Sequence, residues 1–220
     1  MLTKNQLLCE ICEIFPNFKP NWDEIVERFK NIRMNRKGDF SFNTLASYLA
    51  ESYVRLTLEE ICTQYEGRIF IDQIPNGASK SGYTYHYSDV GHTGLIVSKN
   101  NIYHCEIDEL LLVDGLPVLV EVKVGRYRFP DVINTMIEYR INQISNPIKQ
   151  YFETDRCGYM LVIPSDQIIS DENILKDKKV TFRRFIQKEF REKNGVLVPF
   201  YTTRKIFRRE VRKIEKDYSL

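Results

Sequence analysis

The chain has 220 residues, 43% of them hydrophobic and 28% charged, with 32 basic side chains against 30 acidic ones. That is enough apolar material for a sizeable core, in one domain or one domain with a small helical extension. No apolar run reaches the roughly 18 residues that a membrane span requires, so no membrane partner is expected.

The N-terminus shows no signal-peptide pattern, since Leu7 and Leu8 run into Cys9, Glu10 and Glu13. The expected location is the cytoplasm, or the host cytoplasm for a viral protein. Residues 3–15 read as an amphipathic helix with Leu7, Leu8, Ile11 and Ile14 on one side, broken by Pro16 and Pro20. Cys9 and Cys12 form a CxxC, but five scattered cysteines make a poor disulfide framework. A zinc site would need a second pair or nearby histidines, so these two read as buried helix residues. Asn21 caps a second helix over 22–35, with Ile25, Phe29 and Ile32 inward. Ser41 or Asn43 caps a longer one over 43–65.

Strand-like segments follow at 68–74, 93–98, 103–113 and 116–124, with a Gly-, Ser- and Tyr-rich loop or wide hairpin at 76–92. A helix is expected at 130–153, with Pro130 in its first turn. Then come a short strand at 159–163, a helix at 178–193, a strand at 196–201 and a basic helix at 204–217. This order predicts an α/β fold with a mixed central sheet flanked by helices. The expected organisation is a helical N-terminal extension (1–42), a core (43–203) and a basic C-terminal helix (204–220).

Asp114-Gly115 between two apolar runs is a strong hairpin signal. With those two residues as the turn, Val113 faces Leu116. Counting back in step, Asp108 faces Glu121 and Glu106 faces Lys123. Side chains alternate between faces, so these four share one face at the end away from the turn. Directly opposed Cβ atoms lie about 4.5–5.5 Å apart. Two carboxylates that close repel unless a cation lies between them, and Mg²⁺ takes oxygen ligands. The other face is apolar from Ile107 to Val124, and only Glu109 breaks it. An internal salt-bridge cluster, with Lys123 satisfying Glu106 and Glu121, is the competing reading.

Glu106-Ile107-Asp108, the hairpin and Val120-Glu121-Val122-Lys123 resemble the PD-(D/E)XK nuclease superfamily. In that family an acid on one strand is followed by (D/E)-x-K on the next. The nearest flavour is the archaeal Holliday junction resolvases and RecB-like nuclease domains, and the Lys-, Ile- and Tyr-rich composition suits a thermophilic archaeal or viral source. The resemblance covers roughly residues 44–163 and implies a restriction-endonuclease-like fold. Glu106-Ile107 stands where some members carry Pro-Asp.

The resemblance further implies that Asp108 and Glu121 bind Mg²⁺ or Mn²⁺, with the backbone carbonyl of Val122 as a further ligand. Lys123 would orient the attacking water and steady charge on the phosphate, and the product would carry a 5′-phosphate. Many members add a helix glutamate. Leu49-Ala50-Glu51-Ser52-Tyr53-Val54 resembles the form seen in several branches, so Glu51 is the first candidate and Glu59 the next, with Glu60 behind them. Gln150, or Gln143, matches a polar residue that the following helix supplies.

His104 shares the Glu106/Asp108 face and is an accessory candidate, although a satisfied structural histidine is the plainer reading. Its neighbour Cys105 points the other way. The 77–92 loop mixes Lys80 with Tyr83, Tyr85, His86 and Tyr87, a composition suited to stacking on unpaired bases. Gly91-His92-Thr93-Gly94 lacks the lysine and spacing of a phosphate loop. The segment 204–216 has seven basic residues and two acidic ones, which makes Arg204, Arg208 and Arg212 candidate phosphate contacts.

The expected function is metal-dependent hydrolysis of DNA phosphodiester bonds, including structure-specific cleavage of junctions or flaps, by a homodimer. The alternatives are a catalytically inactive DNA-binding protein on a nuclease fold, and an interaction module whose acidic cluster is only a salt-bridge network.

Overall fold

The computed structural model describes residues 3–19, 21–35, 42–87, 94–124, 141–164, 195–199 and 204–217. Helix α1 spans Lys4–Asn17 and opens on a capping box, in which Thr3 accepts from the Gln6 N–H and the Gln6 side chain accepts from the Thr3 N–H. Pro16 does not end it. The last turn closes through Phe18 N–H to the Ile14 carbonyl at 2.9 Å, while Asn17 Nδ2 donates to the Glu13 carbonyl. Helix α2 spans Trp22–Asn35 and starts at Asn21, whose Oδ1 accepts from the Asp23 N–H at 3.0 Å. Helix α3 spans Phe42–Gln64.

The strands are β1 (Ile69–Ile71), β2 (Ala78–Lys80), β3 (Tyr83–Tyr87), β4 (Leu95–Lys99), β5 (Ile102–Ile107), β6 (Glu109–Val113), β7 (Leu116–Val122), β8 (Gly158–Ile163) and β9 (Gly195–Pro199). Helix α4 spans Ile141–Phe152 between β7 and β8, and α5 spans Arg204–Asp217. The expected helix at 178–193, the first half of the helix expected at 130–153, and the turn around His92 lie outside the described residues.

The fold is mixed α/β, as expected, but with two sheets rather than one. The first has the order β1-β6-β7-β8-β9, with β6 antiparallel to β7 and β7, β8 and β9 parallel. The second is an antiparallel meander, β2-β3-β4-β5. The residues expected to form one long strand over 103–113 break at Asp108. Residues 102–107 pair with β4 in the second sheet, and 109–113 pair with β7 in the first.

The first sheet is covered on both faces. Leu111, Val113, Val118, Val120 and Val122 face a core shared with α1, α2, α3 and α5, including Leu7, Ile25, Leu49 and Phe207. Leu110, Leu119 and Leu161 face a second core with Ile144 and Ile148 of α4 and Tyr85, Val97 and Ile107 of the second sheet. A sheet buried on both sides explains why its strands read as near-continuous apolar runs.

Candidate active site

The hairpin forms as its turn chemistry dictates. Asp114 and Gly115 both have positive φ, 46° and 76°, as a two-residue turn that matches strand twist requires. Arg68 fixes the turn from outside, with Nε 3.0 Å and Nη2 2.6 Å from the two Asp114 carboxylate oxygens. Val113 faces Leu116, Leu111 faces Val118 and Glu109 faces Val120.

The ladder then stops, and the pairing expected beyond it needs correction. Asp108 lies in the bend between β5 and β6, so it does not form a ladder pair with Glu121. Its Oδ2 instead accepts the Val122 N–H at 2.7 Å. Glu106 does not face Lys123; it pairs with Ile96 of β4, lies exposed, and packs against Gly94. Residue counting across the hairpin fails there because the bend moves the chain into the other sheet.

The bend still gathers the expected core of the site. Glu121 is only 2% exposed, and Lys123 Nζ forms an ion pair with its Oε1. The carboxyl of Asp108 is held well above the ordinary carboxylate range. Burial is the main cause, followed by the charge of Glu121; Lys123 opposes the shift, Glu51 adds to it, and the Val122 N–H opposes it. Glu121, Lys123 and Glu51 thus all act on Asp108: α3 contributes Glu51, the bend before β6 Asp108, and the end of β7 Glu121 and Lys123.

The competing glutamate lies elsewhere. Glu59 sits between two cations, with Arg28 Nη2 at 2.6 Å and Arg55 Nε at 2.8 Å. Burial opposes its charge, but the bonds from Arg28 and Arg55 hold the carboxyl below its ordinary range. Glu60, the third candidate, is exposed and accepts from Gln64 at 3.2 Å.

The accessory residues divide in the same way. The His104 ring nitrogen Nε2 lies 3.2 Å from the Gln143 carbonyl, and the ring packs on Tyr83 at 5.5 Å between centroids. It holds β5 to α4, the structural role weighed above. Gln150 is half-buried on α4. The stretch expected as a stacking loop is largely the β2–β3 hairpin, and Tyr83 and Tyr85 are buried, so neither ring is available to a base. Tyr85 Oη donates to the Pro147 carbonyl at 2.8 Å. Lys80 Nζ reaches the Tyr151 carbonyl at 2.7 Å and Glu153 at 2.9 Å, which ties β2 to the end of α4. Helix α5 buries Phe207, Val211 and Ile214 against the core, while Lys205, Arg209, Arg212 and Lys213 are exposed and Arg208 is half-buried. Of Arg204 only its place in the helix is described.

One charged cluster was missed by sequence reasoning. Glu109 is 1% exposed, and its Oε2 meets Arg55 Nη1 at 3.0 Å. Arg55 also bonds Glu59 and Asp72. Burial opposes the guanidinium's charge, but the surrounding acids overcome it and raise its pKa. The signal was present: Glu109 alone interrupts an apolar face, and Arg55 is the only basic residue in α3. A buried acid demands such a partner.

Neither a family model, nor a curated protein, nor a solved structure matches this chain.

The donor set fits a hard divalent cation. Glu121 brings a buried carboxylate and Asp108 a half-buried one that the charge of Glu121 pushes up, and Mg²⁺ is commonly held by one or two carboxylates plus waters. Among the described residues, no three His, Cys, Asp or Glu side chains form a group that could hold a metal. Glu51 contributes to the field at Asp108 from α3.

Proposed function

We propose that the chain is a metal-dependent nuclease of the PD-(D/E)XK type acting on DNA, with Asp108, Glu121 and Lys123 as its catalytic set and Glu51 as the helix carboxylate beside them. The observation that carries this reading is the buried Glu121 ion-paired to Lys123 beside Asp108, whose carboxyl is pushed up by burial, Glu121 and Glu51 and relieved by Lys123. A restriction-endonuclease-like core is favoured by the order α3, β6–β7 hairpin, α4, and β8 parallel to β7.

In this reading Asp108 and Glu121 would hold Mg²⁺ or Mn²⁺, which would supply a water of lowered pKa and polarise a phosphoryl oxygen. The Val122 N–H fixes the Asp108 carboxylate at 2.7 Å. Lys123 exchanges its Glu121 partner for the phosphate, placing an ammonium where negative charge develops. The exposed cations of α5 offer contacts to the phosphate backbone.

The test uses labelled linear, flapped and four-way-junction DNA with Mg²⁺, Mn²⁺ or EDTA, and Asp108→Ala and Lys123→Ala beside the wild type. Metal-dependent cutting that both substitutions abolish is the expected result. Retardation of DNA without cutting by the wild type on any substrate would instead favour a binding protein on a nuclease fold.

A further inference from the structure

Arg55 lies one helical turn beyond Glu51 on α3, and its guanidinium meets Glu109, the residue next to Asp108. The arginine side chain is 12% exposed and the glutamate side chain 1%. Asp72, just after β1, and Glu59 on α3 take the remaining guanidinium bonds. The same cation thus ties together the helix that carries Glu51, the strand that begins beside Asp108, and the loop that follows the edge strand.

Stability alone does not require the buried Arg55–Glu109 pair. Well-packed apolar residues of similar volume commonly replace a buried ion pair with no loss, and the α3 side chains in the shared core are Leu, Ala, Tyr, Val and Ile. Apolar contacts fix a helix against a sheet loosely along its axis. Charge-assisted bonds from a planar fork are directional. Three acids approached from different directions suit arginine and would not be satisfied by a lysine's point charge.

We infer that Arg55 is a positioning residue that sets the separation of Glu51 from Asp108 by clamping α3 to Glu109, and so decides whether the helix carboxylate serves the cation. This rests on the metal site proposed above. The geometry gives the clamp its importance: Glu51 lies one helical turn before Arg55, and Arg55 is bonded to the residue next to Asp108, so this bridge sets how close the helix carboxylate stands. A small slide of α3 therefore moves it into or out of use.

The experiment measures Mn²⁺ affinity from the free-ion EPR signal, together with melting in EDTA, on the full chain. Arg55→Met with Glu109→Leu removes both charges of the buried pair, while Glu59 keeps Arg28 and Asp72 is exposed to water. This double variant is expected to melt within a few degrees of the wild type yet bind Mn²⁺ about tenfold or more weakly, the scale of losing an outer-shell support. Glu51→Gln is expected to weaken the wild type but to add nothing in the double-variant background, because the clamp acts through Glu51. Unchanged Mn²⁺ affinity in the double variant, or an equal further loss from Glu51→Gln in both backgrounds, would overturn the inference. Should the double variant fail to fold, Arg55→Lys gives the same readout with the charge kept: weaker Mn²⁺ binding supports the clamp and unchanged binding refutes it. A wild type that binds no Mn²⁺ would sink the metal site itself, and the clamp with it, an outcome distinct from a wild type that binds and a variant that binds equally.

Discussion

The Asp108 carboxylate accepts the Val122 backbone N–H at 2.7 Å, at the point where the β6–β7 ladder stops. The bend that breaks the strand is thus the feature that aims an acid across the hairpin. One backbone donor exchanges a strand partner for a carboxylate.

Stability should rise when that acid is neutralised. Burial first, and then Glu121, hold the Asp108 carboxyl well above its ordinary value. A group raised in the folded state contributes stability below its unfolded pKa and loses it as pH rises towards the folded one. Asp108→Asn keeps an oxygen for the Val122 N–H and removes the charge. In EDTA near pH 7 the variant should be more stable by about 0.5–2 kcal/mol, in the manner of active-site residues that trade stability for activity. The gain should vanish below about pH 4, where the unfolded acid is also protonated. Melts across pH check this; a variant less stable at pH 7 would contradict it.

Glu59 should show the opposite sign. Its burial is outweighed by the bonds from Arg28 and Arg55, so its carboxyl is held below the ordinary range. Its stabilisation is present above the unfolded value and is lost as pH falls through the folded one. Glu59→Gln should therefore lower the melting temperature at pH 7, and the two melting curves should converge under acid. A deficit of constant size from pH 7 down to strong acid would contradict the ion-pair account.

Much of this architecture was legible in local sequence. Asn21 marked the start of α2, and Asp114-Gly115 fixed both the turn and the pairing of Val113 with Leu116. The basic helix expected at 204–217 forms as α5, and the structure adds that Phe207, Val211 and Ile214 dock it on the core. The second sheet was not legible, because nothing local marks a bend at Asp108. The apolar face runs from Ile107 to Leu111 with Glu109 alone between them, and only tertiary pairing with β4 separates the two strands. Glu106 was misplaced for that reason, since its position was counted across a ladder that ends at Glu109. The buried tyrosines of β3 were misread as exposed because aromatic residues suit a strand core and a stacking loop equally well.

The turn that sets the hairpin pairing should be sensitive at one atom. Gly115 has φ of 76°, and a Cβ there would meet nothing within 4 Å. The cost of Gly115→Ala is then backbone strain alone, about 1–2 kcal/mol. Gly115→Asn should cost less, because asparagine tolerates the left-handed region. Denaturant titration of the two variants checks the order. Equal stability of the alanine variant and wild type would mean that the turn relaxes to another type.

The two helix glutamates should separate cleanly in function. Glu51 acts on Asp108, whereas Glu59 is held by Arg28 and Arg55. Replacing either by glutamine removes one charge from the same helix, so general electrostatics are matched between the variants. Glu51→Gln should weaken Mn²⁺ binding by roughly 10–100-fold, the range for residues that support a metal site. It should leave the melting temperature in EDTA unchanged or raised, since it relieves repulsion on Asp108. Glu59→Gln should lose melting temperature and, below its melting range, bind Mn²⁺ within about threefold of wild type, because Arg55 keeps its bonds to Glu109 and Asp72 and α3 stays clamped. The reverse pattern, with Mn²⁺ affinity falling in Glu59→Gln and intact in Glu51→Gln, would move the helix carboxylate of the site one position down the candidate series and remove Glu51 from the catalytic set.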